Sequence, residues 1–266
     1  MNSKVEIMGV LNITDNSFYD GGKFNSLKAS SDHAKKLIND GADIIDIGAE
    51  SSKPGSNPVS SKDQIRKIEP LVEALRDISN IPISIDTRSS KVISHLLKYE
   101  INIVNDISSL KDKDLLDIIK SNRLSISLMH MLGTPKTMQI NPTYDNVVDD
   151  IYGYLKNRAE LCINHGIDKS NIIIDPGFGF GKTLDHNYEI LNNLEKFSNM
   201  GYRVLSGISR KSMIGDVLKK PVTDRLYGSL AASVIAIKNN TSILRVHDVR
   251  ETKMLLNFKE LIRNSL

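Results

Sequence analysis

A chain of 266 residues, 40% hydrophobic and 25% charged, can bury a large core, and it has no low-complexity tract and no apolar run near the roughly 18 residues of a membrane span. Its 35 basic and 32 acidic side chains leave a formal charge of +3, too small and too dispersed to argue for nucleic acid. Cys162 is the only cysteine, so an internal disulfide or a thiolate metal cluster within one chain is excluded, and Cys162 reads as a packing residue.

Met1-Asn2-Ser3-Lys4 leads into a strand-like run without a signal-type apolar region, and a cytoplasmic location is expected. Hydrophobic period reads residues 5–11 as a strand and 26–39 as a helix, with Ala34, Leu37 and Ile38 at helical spacing. Further strands are expected at 43–48, 83–86, 103–105, 125–130, 171–175, 204–209 and 242–246. Helical patterns follow at 60–77, 91–98, 113–120, 145–165, 186–196, 224–238 and 250–264. Repeated βα units imply parallel strands with right-handed crossovers, and eight of them imply a closed α/β fold, the (β/α)8 or TIM barrel, as one domain over 1–266. No G-x-G-x-x-G turn follows the first strand, which weakens a dinucleotide-binding alternative.

Such a barrel puts its site where strands end and helices begin. Those positions carry Asn12, Glu50-Ser51-Ser52, Asp86, Asn105-Asp106, His130, Asp175, Ser209-Arg210-Lys211 and Arg245-Val246-His247, polar at every strand end. Helix-to-strand connections, by contrast, read as ordinary caps and turns, such as Asn39-Asp40-Gly41-Ala42 and His165-Gly166-Ile167. The difference between the two rims argues for an enzyme. Ile172-Ile173-Ile174-Asp175-Pro176-Gly177-Phe178-Gly179-Phe180-Gly181-Lys182 shows it most clearly: a buried strand delivers one carboxylate into a glycine-rich turn shaped around something small.

The strand-end residues fall into two chemical sets. Asp86, Asn105, Asp175 and Lys211 suit the edge of a flat nitrogen heterocycle, whose amino group and ring N–H can both donate to one carboxylate. Arg245, His247, Asn12 and Lys53 seek an anion, and Arg245 and His247, two positions apart on one strand, point to one face. No spacing of metal-site type is present, which argues against a tightly held zinc; a hard cation such as Mg²⁺ could still be recruited mainly by a diphosphate, with Asn12 as its one protein ligand. Set against these, His130 and Asp106 read first as a core histidine and a helix cap. His33, His95, His165 and His186 read as surface or packing residues, and Asp20, Glu50 and Arg210 as supports of loop geometry.

Met8-Gly9-Val10-Leu11-Asn12-Ile13-Thr14, Ser17-Phe18-Tyr19-Asp20-Gly21-Gly22 and Gly48-Ala49-Glu50-Ser51-Ser52-Lys53-Pro54-Gly55 closely resemble the two signature loops of dihydropteroate synthases. The similarity continues through Ser84-Ile85-Asp86-Thr87, Val104-Asn105-Asp106-Ile107, Leu128-Met129-His130-Met131, the stretch from Asp175 to Lys182, Ser209-Arg210-Lys211-Ser212 and Arg245-Val246-His247-Asp248. The resemblance implies a transferase of folate synthesis, joining 6-hydroxymethyl-7,8-dihydropterin diphosphate to p-aminobenzoate by a dissociative substitution. It implies that Asp86, Asn105, Met129, Asp175 and Lys211 hold the pterin, with Asp86 and Lys211 catalytic. Asn12, Ser52, Lys53, Arg245 and His247 would hold the diphosphate with Mg²⁺ on Asn12, and Phe18, Pro54, Phe180, Ser209 and Lys211 would form the p-aminobenzoate pocket. It also implies a sulfonamide target and a homodimer.

Two departures stand out. Asp15-Asn16 replaces the family's usual Pro-Asp, and Ser52-Lys53-Pro54-Gly55 replaces Thr-Arg-Pro-Gly, keeping the charge but losing the guanidinium fork. Altered loop closure, substrate affinity or sulfonamide sensitivity is expected from them. A pterin-binding methyltransferase domain would not need the diphosphate set, and a non-catalytic paralogue is the remaining alternative.

Overall fold

The computed structural model describes residues 4–13 and 27–264. Eight strands, β1 (Glu6–Asn12), β2 (Ile44–Gly48), β3 (Ile83–Asp86), β4 (Ile103–Asp106), β5 (Ser125–Met129), β6 (Ile172–Asp175), β7 (Arg203–Ser206) and β8 (Ile243–Val246), close into a barrel in chain order. Every neighbouring pair, β8 with β1 included, is parallel. Around them run α1 (Leu27–Asn39), α2 (Ser61–Arg76), α3 (Ser90–Leu96), α4 (Asp114–Ser121), α5 (Val147–His165), α6 (Leu184–Asn192), α7 (Leu194–Ser198), α8 (Ser212–Leu218), α9 (Leu226–Lys238) and α10 (Val249–Asn264). No described helix is long and apolar enough to cross a membrane.

Strand alternation sorts the residues. Met8, Ile44, Ile103, Ile173, Leu205 and Ile243 form a separate apolar cluster inside the barrel, whereas Ile7, Ile45, Ile47, Ile83, Ile85, Val104, Ile126, Ile172, Ile174 and Leu244 face outward against the helices. Because β-branched side chains fit a pleated surface buried on both sides, these strands read as nearly continuous apolar runs. Counting in twos from the inner cluster reaches Asn12, Asp46, Asn105, Asp175, Arg245 and His247, and on β3 the same phase runs from Ser84, the register partner of Asp46, to Asp86. The phase that fills the barrel floor therefore also aims the polar residues at its mouth.

Several boundaries differ from those the sequence suggests. β7 ends at Ser206, because Gly207 follows and Arg210 adopts φ 56°, so Ser209-Arg210-Lys211 lies on a loop rather than a strand. The helix expected at 186–196 begins at Leu184, capped by Thr183 reciprocally with His186, and breaks at Asn193 into α6 and α7. α8, directly after Lys211, forms where the hydrophobic period suggests no helix. β5 stops at Met129, although the His130 N–H still donates to the Asp175 carbonyl at 3.0 Å. Cys162 is buried on α5, as a packing residue should be.

The rim opposite the mouth is stitched by one side chain. Arg76, the last residue of α2, donates to the carbonyls of Tyr99 (2.8 Å), Ile81 (2.7 Å), Glu100 (2.8 Å) and Ser79 (3.4 Å), and to Asn102 Oδ1 (3.2 Å). It thereby ties the entries of β3 and β4 together. Charge-assisted bonds are worth about 1.5–3 kcal/mol each, but carbonyls on this half-exposed rim recover water when the guanidinium is lost. Arg76→Ala should cost about 2 kcal/mol in urea unfolding with an unchanged m-value; a loss below about 0.5 kcal/mol would show that the stitch is idle.

Candidate active site

The site is assembled around Asp46, a residue that sequence reading placed only as part of a strand. It is fully buried in mid-β2, and its carboxylate accepts from Ser84 Oγ at 2.6 Å, Arg245 Nε at 2.7 Å and Asn105 Nδ2 at 3.3 and 3.4 Å. The same guanidinium reaches Asp86 Oδ2 through Nη2 at 3.0 Å. Arg245 thus joins β8 to β2 and β3 across the barrel interior. Gly48 keeps room for this arrangement, since a Cβ there would stand 3.1 Å from Asp86 Cβ.

Charges here are set by burial against pairing. Burial pushes Asp86 up to about 7, and the facing Arg245 limits the rise. Burial works against the Arg245 charge too, but Asp46 and Asp86 more than offset it and hold the pKa above its ordinary value. Asp175 is raised by burial and opposed by Lys211, and its Oδ1 accepts the Gly177 N–H at 2.7 Å. Lys211 is drawn down to about 8 by burial while Asp175 resists. Its ammonium donates to the Phe178 carbonyl and lies 4.7 Å from the centre of the Phe180 ring.

The anion-seeking set meets the same mouth from the other side. His247 is drawn down to about 4 by burial and by Arg245, so it is neutral at pH 7, and its Nδ1 lies 3.1 Å from Ser209 Oγ. Asn12 ends β1 in the inward phase, and Met129 ends β5 buried. Ser52, Lys53 and Pro54 stand on the rim loop after β2, where Ser56 Oγ donates to the Ser51 carbonyl at 2.5 Å and the Gly55 N–H reaches the Pro135 carbonyl at 3.0 Å. Phe18, with Thr14, Asp15, Asn16 and Asp20, lies outside the described residues.

Other strand-end polar residues serve the scaffold. Asp106 ties down its own turn, accepting from Ser108 N and Oγ at 2.7 and 2.6 Å and from Leu110 N at 2.6 Å, rather than capping a helix. Glu50 pairs with Arg88 (2.5 and 3.1 Å) and accepts the Val59 N–H (3.1 Å), anchoring the rim loop from below. Arg210 forms a two-pronged pair with Asp248 at 2.7 and 2.8 Å. His130 is buried against Tyr154 and Tyr144 and lies 3.0 Å from Lys182 Nζ. Of the outer histidines, His95 and His165 meet Glu69 and Asp117.

Carboxylates, an amide, a lysine and an arginine–histidine pair therefore share one pit. The carboxylates and the amide oxygen can accept from donors on a planar ring, the lysine can donate to its acceptors, and the last two can receive a leaving anion. Asp46 had one signal in the sequence: a lone acid inside Ile44-Ile45-Asp46-Ile47, where an unpartnered charge is not tolerated.

Residues 8–247 match the family described as pterin binding enzyme. The chain is 43% identical to the dihydropteroate synthase of Haemophilus influenzae over 98% of its own length and 94% of that protein. It is 44% identical to that of Escherichia coli strain K12, over 94% and 89% of the two chains. The crystal structure of the Yersinia pestis dihydropteroate synthase with a sulfonamide drug superposes with a TM-score of 0.94 at 39% identity, covering 100% of this chain and 96% of that one. The Xanthomonas albilineans dihydropteroate synthase with 4-aminobenzoic acid gives 0.91 at 34% identity, covering 98% and 94%. With near-complete coverage in sequence and in structure, and a barrel mouth furnished as described, the chain belongs to the dihydropteroate synthases of the pterin-binding enzyme family.

Proposed function

We propose that this chain condenses 6-hydroxymethyl-7,8-dihydropterin diphosphate with p-aminobenzoate, giving 7,8-dihydropteroate and diphosphate. What carries the reading is that Arg245 bonds Asp86, shares the Asp46 carboxylate with Asn105 and acts electrostatically on His247, which supports a heterocycle edge beside an anion site. Asp86, Asn105, Asp175 and Lys211 take the pterin, with Met129 against its face. Arg245, His247, Asn12, Ser52 and Lys53 take the diphosphate. Ser209, Lys211, Phe180, Pro54 and Phe18 form the arylamine pocket, and sulfonamides would compete there, as the Yersinia pestis drug complex suggests.

The bond from the pterin methylene to oxygen breaks, and its electron pair leaves with the diphosphate. The aryl amine lone pair then forms the new carbon–nitrogen bond, and the amine proton passes to solvent. Asp86 and Asp175, held in a buried site of low dielectric, oppose the positive charge that spreads over the pterin as the bond loosens. Arg245 receives the negative charge that departs. Mg²⁺ would be held chiefly by the two phosphates, with the Asn12 amide oxygen as one ligand. When bound there, Mg²⁺ supplies neutralisation of the leaving group.

We also propose a homodimer through α9 and α10. Tyr227, Val234, Ile235, Met254, Phe258 and Leu261 are exposed on these two helices, and a cleft of about 340 Å³ lined by Val234, Ile237 and Leu255 runs there.

Product formation from the two substrates and Mg²⁺ tests the activity directly, and its absence would end the reading. Asp86→Ala should lower kcat by about a hundredfold or more while moving either KM by less than about fivefold; an unchanged kcat would remove Asp86 from catalysis. Asp86 must be ionised and Lys211 protonated, so kcat/KM should fall as pH drops through about 7 and as it rises through about 8. Lys211→Arg should move the alkaline fall upward, whereas a profile flat across both values would refute the assignment. Sedimentation should give twice the chain mass, and Met254→Asp with Phe258→Asp should give the single chain with its circular dichroism intact; a wild-type monomer at micromolar concentration would contradict the dimer.

A further inference from the structure

Residues 177–182 belong to neither strand nor helix, and Gly177, Gly179 and Gly181 all take positive φ (73°, 78° and 67°). Such a backbone has many nearby alternatives, so something must select one. Four successive carbonyls are each taken by a different side chain. Phe178 receives Lys211 Nζ, Gly179 receives Gln139 Nε2 at 2.8 Å, Phe180 receives Lys182 Nζ at 3.0 Å, and Gly181 receives Tyr144 Oη at 2.6 Å.

Lys182 is the unusual member. It is only 3% exposed, and its side chain turns back inward rather than to solvent. Nζ lies 3.0 Å from His130 Nδ1 and 3.4 Å from the His130 carbonyl, in addition to its bond to Phe180. An ammonium can donate to all three. A neutral amine can donate to the two carbonyls and accept from Nδ1–H, so the clamp is satisfied in either protonation state. His130 is itself wedged between Tyr154 and Tyr144, with ring centroids 5.0 and 5.9 Å away. The anchor is therefore rigid. Phe180, at the other end of the clamp, carries the ring that lies over Lys211.

We propose that Lys182 is a positioning residue for the arylamine: by tying the Phe180 carbonyl to His130, it fixes the Phe180 ring over Lys211 and thereby sets affinity for p-aminobenzoate. The inference rests on the functional reading above. Asp86 and Asn105 stand on strands away from this loop, and Asp175 and Lys211 meet it at Gly177 and Phe178, ahead of the Phe180 carbonyl that Lys182 ties, so loss of the clamp should weigh on p-aminobenzoate rather than on the pterin. Loss of a purely structural lysine would not.

Steady-state kinetics on the full chain decide it, beginning with product formation by the unaltered protein, since no product there would sink the functional reading itself. Lys182→Met should raise the p-aminobenzoate KM about tenfold, with kcat and the dihydropterin diphosphate KM changed by less than about twofold. In a Phe180→Ala background, where the positioned ring is already gone, Lys182→Met should add less than about twofold. Equal rises in both KM values, no rise in either, or a full tenfold effect repeated in the Phe180→Ala background would overturn the positioning role while leaving the enzyme activity standing. If Lys182→Met does not fold, Lys182→Arg, which keeps the charge but displaces the donor, is expected to show the same split at about threefold.

Discussion

Everything at the barrel mouth depends on Arg245 being held between Asp46 and Asp86. A carboxylate as deeply buried as Asp46 persists only with strong partners, and removing one partner of such a pair typically costs about 3–5 kcal/mol. Arginine is suited to the task because it does not shed its charge, whereas Lys211 in the same pit is already pulled down to about 8. Asp46 also settles the orientation of Asn105. With the amide nitrogen directed at Asp46, the amide oxygen is left as an acceptor, the polarity that ring N–H donors require.

The two halves of the pit differ in how their charge responds to a ligand. At Asp86 and Asp175 burial has raised the carboxyls, so hydrogen-bond donors approaching them would stabilise the ionised forms. At His247, burial first and Arg245 second keep the ring neutral, and an anion arriving beside it would favour its protonation. The site therefore gains complementary charge as it fills, rather than carrying a full uncompensated charge beforehand.

How much of this was legible depends on what leaves a mark on residue type. Strand alternation and the polar residues at every strand end are visible in the chain itself, and they led to the barrel and to the residues that meet at its mouth. Asp46 leaves a fainter mark because it sits below the strand ends, inside a run dominated by isoleucine. The short α8 was hidden by the expectation that β7 continues to Ser209, and Gly207 with the positive φ of Arg210 breaks that continuity. The clamp on residues 177–182 was least accessible of all. Its acceptors are main-chain carbonyls, which every residue possesses, so no pattern announces which of them a distant lysine, glutamine or tyrosine will bind.

The alternation inside the barrel also governs how such a protein can change by descent. Met8, Ile44, Ile103, Ile173 and Ile243 share strands with the mouth residues Asn12, Asp46, Asn105, Asp175 and Arg245 but no positions with them, so exchanges at the mouth leave the plug beneath it untouched. A single-residue deletion within β2 is another matter: on one side of the cut it would exchange inside for outside, turning Asp46 toward the helices or Ile44 away from the plug. Point substitution at the top is thus an open road to new substrates, while length variation is confined to the connections between strands.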